Sequence, residues 1–163
     1  MESQGFFHSI TRTLYRRRGK TYDSLKRTAG WREVQVMELK KYFDEHAGFG
    51  VLATADAKGA VNAAVYGRPH FEEADDVLLF IMRDRLSHAN LQENPAAAYL
   101  FREEGEGYRG KRLALTKIGE EKDSPRIEEI RRRRHEGSGA DGGSKYLVRF
   151  RVDRIRPLVG ERE

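Results

Sequence analysis

Cysteine is absent from the 163-residue chain. That excludes disulfides, cysteine-ligated zinc and iron–sulfur clusters, and it fits a reducing cytoplasm. Proline occurs only four times, so few segments are barred from regular structure by a missing N–H. No apolar run approaches the ~20 residues of a membrane-spanning helix. The opening residues MESQGFFHSITRTLYRRRGK are not a signal peptide, because the charge follows the apolar part and no long apolar core is present.

Charge, by contrast, is plentiful. Charged residues make up 35% of the chain, and 31 basic residues face 26 acidic ones for a net charge of +5. The excess is mild, so local clusters carry more information than the total. The length suits one domain over 31–163, preceded by an amino-terminal basic arm at 1–30. In the arm, Phe6, Phe7, Ile10 and Leu14 share one helical face beside Arg12, Arg16, Arg17 and Arg18. Two readings fit it: an arm docked on the domain, or a basic amphipathic anchor with a short apolar face.

Glu33–His46 reads as a helix with Val36, Leu39 and Phe43 on one face and Gly48 as its stop. The period then changes. FGVLAT (49–54) and VNAAVY (61–66) are strand-like and flank a turn near Lys58-Gly59. VLLFIM (77–82) is continuously apolar, as expected of a strand covered on both faces. Further strands are predicted at AAAYLF (96–101), RLALTKI (112–118) and KYLVRFRV (145–152), the last with Tyr146, Val148, Phe150 and Val152 on one face. Ser124 and Pro125 open an exposed helix over 124–136, whose RRRR run reads as a solvated face. GSGADGGS is a flexible linker by composition. Six strands close in sequence with few helices predict a mainly β fold, an antiparallel barrel.

The chemistry concentrates between two of these strands, in RDRLSHANLQENP (83–95). Ser87 is placed to cap a helix starting at His88, with Leu86 and Leu91 as a hydrophobic staple. That helix ends near Asn94, because a residue before proline disfavours the helical region. A helix start beside Arg83 and Arg85 can hold a phosphate. The same residues also read as an ordinary cap with solvated arginines. No residue stands out as a catalytic acid or base.

FGVLATADAKGAVNAAVY, VLLFIMRDRLSHANLQENPAAAYLF and GYRGKRLALT together resemble the pyridoxamine 5'-phosphate oxidase-like family of FMN-binding split barrels. The resemblance covers Leu39 to Ile118 and, more loosely, the last strand. It implies a six-stranded antiparallel split β-barrel that binds FMN at a homodimer interface. The phosphate would be held by Arg83, Arg85, Leu86, Ser87 and His88. The ring would lie along Ala64, Val65 and Tyr66, with Ala63 and Ala64 small enough to let it approach the backbone. Tyr108 and Arg109 of a partner would close the pocket. Ser87 stands where the family commonly has lysine, and Ala63 and Ala64 stand where a phosphate-contacting arginine is often found; Arg68 is a substitute. RVDRIRPLVGERE offers no counterpart to the arginine and histidine that bind vitamin B6, so the expected activity is that of an FMN-dependent oxidoreductase or electron carrier of another substrate. The alternatives are a haem-binding split-barrel protein, with His8, His46, His70, His88 and His135 as axial candidates, and a flavin-free binding module. Nucleic-acid binding is not expected, because aromatics are not interleaved with the cations.

Overall fold

The computed structural model describes residues 31–72, 77–133 and 143–160. The basic arm, Arg134, His8, His135 and most of the glycine-rich linker lie outside the described residues.

Helix α1 spans Trp31–Glu45. Val36 lies outside the residues whose side chains are described; Leu39 and Phe43 point inward, both buried as their spacing predicts. Gly48 does not cap it. Gly48 is the first residue of strand β1 (Gly48–Ala55), where a Cβ would collide with the Arg102 carbonyl across the ladder. Arg68 instead serves the helix end, donating to the carbonyls of Phe43 at 2.9 Å and His46 at 3.4 Å.

A tight turn leads from β1 to β2 (Val61–Tyr66). The Asp56 carboxylate accepts the N–H groups of Lys58 and Ala60, both at 2.9 Å, and Gly59 supplies the positive φ of +86°. A two-residue strand, β3 (His70–Phe71), is followed by β4 (Val77–Arg83), buried along almost its whole length. Helix α2 (Leu86–Glu93) then leads to β5 (Ala96–Glu103), β6 (Gly110–Lys122), α3 (Pro125–Arg133) and β7 (Lys145–Pro157). All pairings are antiparallel, in the order β2-β1-β5-β6-β7-β4-β3.

The predicted six strands are thus seven. His70–Phe71 is the addition, too short to leave a periodic signal in sequence. β6 and β7 outrun their predicted ends, because their polar continuations pair with each other as far as Lys122↔Tyr146 and Lys111↔Pro157.

The sheet curls until β2 comes up against β4. β2 and β4 share no backbone ladder, yet the Tyr66 and Phe80 rings lie 5.5 Å apart, edge to face. One core fills the interior, with Leu52, Phe80, Tyr99, Phe101, Leu113 and Phe150 from five strands and Leu39 and Phe43 from α1. A smaller cluster (Val77, Leu79, Ile127 and Leu147) seats α3 on the outer face of β4 and β7. Ser124 caps α3 as expected: its Oγ accepts the Arg126 N–H at 3.4 Å and donates to Glu121 at 2.7 Å.

Candidate functional site

The gap between β2 and β4 is an open cleft of about 450 Å³. Asn62, Ala64 and Tyr66 line it from β2, as the two-residue period of a strand dictates. Ile81 and Arg83 line it from β4, and Arg85, Leu86 and Ser87 from the turn and first residues of α2. Val65 and Gly67 complete the rim. Among the described residues the lining holds two arginines and no carboxylate.

The turn into α2 is built differently from its sequence reading. Arg85, not Ser87, is the N-cap residue, with extended backbone (φ −137°, ψ −177°) and no side-chain cap. Its carbonyl accepts the Ala89 N–H at 2.9 Å. The helix therefore begins two residues early, and this has two consequences. Leu86 swings outward and is 60% exposed while Leu91 is buried in the core, so the staple does not form. The Ser87 hydroxyl faces the cleft wall and accepts a hydrogen bond from Asn62 Nδ2 at 2.9 Å. The far end matches expectation, since Asn94 is extended before Pro95.

Ser87 is buried, and its Oγ keeps its own proton to donate. Burial raises the Tyr66 hydroxyl pKa above its ordinary value, while the Ser87 hydroxyl and the Arg85 charge pull it back. Those influences bring Tyr66, Ser87 and Arg85 into one polar group. Behind the wall, Asn90 donates to the Thr54 hydroxyl at 3.2 Å and anchors α2 to β1. Tyr99, fully buried, donates to the Gly67 carbonyl at 2.9 Å and fixes the end of β2.

Of the sequence-predicted site residues, Ala64, Val65, Tyr66, Arg83, Arg85, Leu86 and Ser87 come together at the cleft. Ala63 does not: it lies on the outer sheet face with Val61 and Val65. His88 turns away from the cleft, 5% exposed, stacked on Tyr146 at 3.8 Å between ring centroids. Tyr108 and Arg109 sit in the β5–β6 turn outside this chain's cleft. Tyr108 is 76% exposed, and Arg109 pairs with Glu103 at 3.5 Å, which also accepts the Tyr42 hydroxyl at 2.8 Å. Arg68 is engaged at the end of α1. His46 stacks on Tyr42 at 4.5 Å, outside the cleft. Asn62 was missed by sequence reasoning, although the alternation in VNAAVY already sets it on one face with Ala64 and Tyr66.

No family model matches the sequence, and no curated protein does. Solved structures do match. An FMN-binding protein from Syntrophomonas wolfei subsp. wolfei superposes with a TM-score of 0.61 at 19% identity, covering 86% of this chain and 98% of its own. An F420 reductase matches with a TM-score of 0.58 at 17% identity, over 71% of this chain and 94% of its own. A Listeria innocua protein whose name places it with the pyridoxamine 5'-phosphate oxidases gives 0.56 at 16% identity, over 76% and 98%. The fold is the split barrel shared with these structures, mainly β and antiparallel.

Proposed function

We propose that this split-barrel chain is an FMN-binding flavoprotein, acting as an oxidoreductase or electron carrier and working as a homodimer. The observation that carries the reading is the cleft itself: an opening between unpaired strands, with two arginines at one end and, among the described residues, no acidic residue in its lining. Such a lining selects an anion. Arg83 and Arg85 would hold the phosphate, with the Ser87 hydroxyl, oriented by Asn62, as a further donor. Ala64 leaves room for a planar ring beside the free edge of β2, whose unpaired backbone groups suit its polar rim. The flavin supplies the redox chemistry, and the chain supplies grip and orientation. The similarity to an FMN-binding protein supports the same reading.

The dimer is supported by the outer sheet face. Val51 pairs with Val65 and Leu100, and Ala53 with Ala63 and Ala98, giving rows of small apolar residues. Val61, Val65 and Phe49 are each more than half exposed in the single chain. A contiguous apolar face of this kind marks an interaction surface. A second copy there would bring Tyr108 and Arg109 to the neighbouring cleft.

The test is the visible spectrum of the purified protein, followed by FMN titration of cofactor-free protein. The expected results are a flavin spectrum and saturable binding. The pair Arg85→Ala and Ser87→Ala removes a charge-assisted contact and a donor, so FMN affinity should fall about ten- to hundredfold with fold and dimer intact. Undiminished retention of FMN by that double variant refutes the assignment.

A further inference from the structure

His88 is buried beside the cleft wall without lining it, one residue after Ser87. Its two ring nitrogens meet two carboxylates. Nδ1 lies 3.2 Å from Asp84 Oδ1, in the turn between Arg83 and Arg85, and Nε2 lies 3.1 Å from Glu120 Oε2 on β6. A neutral imidazole carries one N–H and can donate to only one of them, whereas the imidazolium donates to both. A third group competes for Nε2. The Gln92 amide nitrogen stands 2.9 Å from it, ready to donate once that nitrogen loses its proton.

We propose that His88 is a proton-dependent positioning residue: as an imidazolium it ties the arginine-bearing turn to β6, tightening the grip on an anion in the cleft. The inference rests on reading the cleft as the FMN phosphate site. When the proton leaves, Nε2 exchanges its direct bond to Glu120 for one from Gln92, whose amide nitrogen also lies 3.2 Å from Glu120 Oε2, so the direct tie between turn and sheet gives way to a looser, indirect one. The groups facing the ring are Asp84 from the turn, Gln92 from α2, Glu120 and Lys117 from β6 and Tyr146 from β7. Lys122 lies 5.9 Å from the Tyr146 ring centroid. Burial alone would raise the Glu120 carboxyl, but hydrogen bonds from Lys117, Gln92 and His88 outweigh it and hold the group below its ordinary value. Glu120 therefore stays charged down to a lower pH than an ordinary glutamate.

The experiment measures FMN dissociation constants for cofactor-free wild type and His88→Gln from about pH 5.5 to about pH 9. The ratio of the two constants cancels the ionisation of the phosphate, which both proteins share. The ratio is expected to be about fivefold at the acid end and to approach unity at the alkaline end. A ratio independent of pH overturns the proposal. Glu120→Gln, which keeps the ring and its stacking partner, should lose the same pH dependence, and its failure to do so also counts against the tie. A separate readout needs no cofactor. In the NMR spectrum of cofactor-free wild type, the backbone amides of Arg85 and Ser87 should move with the His88 titration midpoint. Motionless amides overturn the proposal. Moving amides in a protein that binds no FMN at any pH sustain it and refute only the flavin reading.

Discussion

Gly50 decides whether the inner wall of the cleft can form. It sits in the middle of β1, opposite Tyr66 on one side and Phe101 on the other. A Cβ there would run into the Tyr99 hydroxyl and approach the Tyr66 carbonyl at 2.7 Å. Tyr99 is fully buried and has nowhere to retreat. In Gly50→Ala the phenol must shift, and its hydrogen bond to the Gly67 carbonyl is lost or strained. The lost bond costs about 1 kcal/mol, and overpacking adds about 1–3 kcal/mol. Against this, alanine in a strand interior gains about 0.5–1 kcal/mol over glycine by restricting the unfolded chain. The net expectation is a loss of about 1–3.5 kcal/mol, measured by urea denaturation of cofactor-free protein with an unchanged m value. In a Tyr99→Phe background the hydrogen bond is already gone and the nearest colliding atom is removed. The added cost of Gly50→Ala should then shrink by about 1 kcal/mol, the coupling expected of residues in contact. The sign makes the test sharp. If Gly50→Ala is neutral or stabilising, the close approach of Tyr99 to β1 is wrong, and so is the account of how the end of β2 is held.

Asn90→Ala strips the partner from a buried Thr54 hydroxyl and detaches α2 from β1, so it should destabilise by about 1–3 kcal/mol in the same denaturation assay. Glu120 has a depressed pKa in the folded protein, so its contribution is present above the unfolded value and is lost as pH falls through the folded one. The stability difference between wild type and Glu120→Gln should therefore be largest near neutrality and shrink in acid; a difference constant with pH would contradict the hydrogen bonds assigned to that carboxylate.

Strands whose burial follows a local period were legible in sequence. Val148, Phe150 and Val152 alternate inward, and Val77–Met82 reads as doubly covered and is. The Asp56–Ala60 turn was legible because its chemistry is local, an aspartate side chain and a glycine in the left-handed region. The start of α2 was not. Serine is the better cap in isolation, but Asn62, 25 positions away, claims the Ser87 hydroxyl, and no local pattern records such a partner. That His88 does not line the cleft was hidden for the same reason. Its orientation is set by Glu120 and Tyr146 on β6 and β7, strands that only the curled sheet brings near. Gly50 gave no signal either, since the ring that requires its bareness belongs to β5.

Because β2 and β4 exchange no main-chain bonds, their separation can change while every rung of the sheet stays intact. Among the described residues, the edge-to-face contact of Tyr66 with Phe80 and the amide of Asn62 on the Ser87 hydroxyl span that mouth. Widening the mouth would therefore cost that ring contact and that amide's hydrogen bond, and no rung of the ladder.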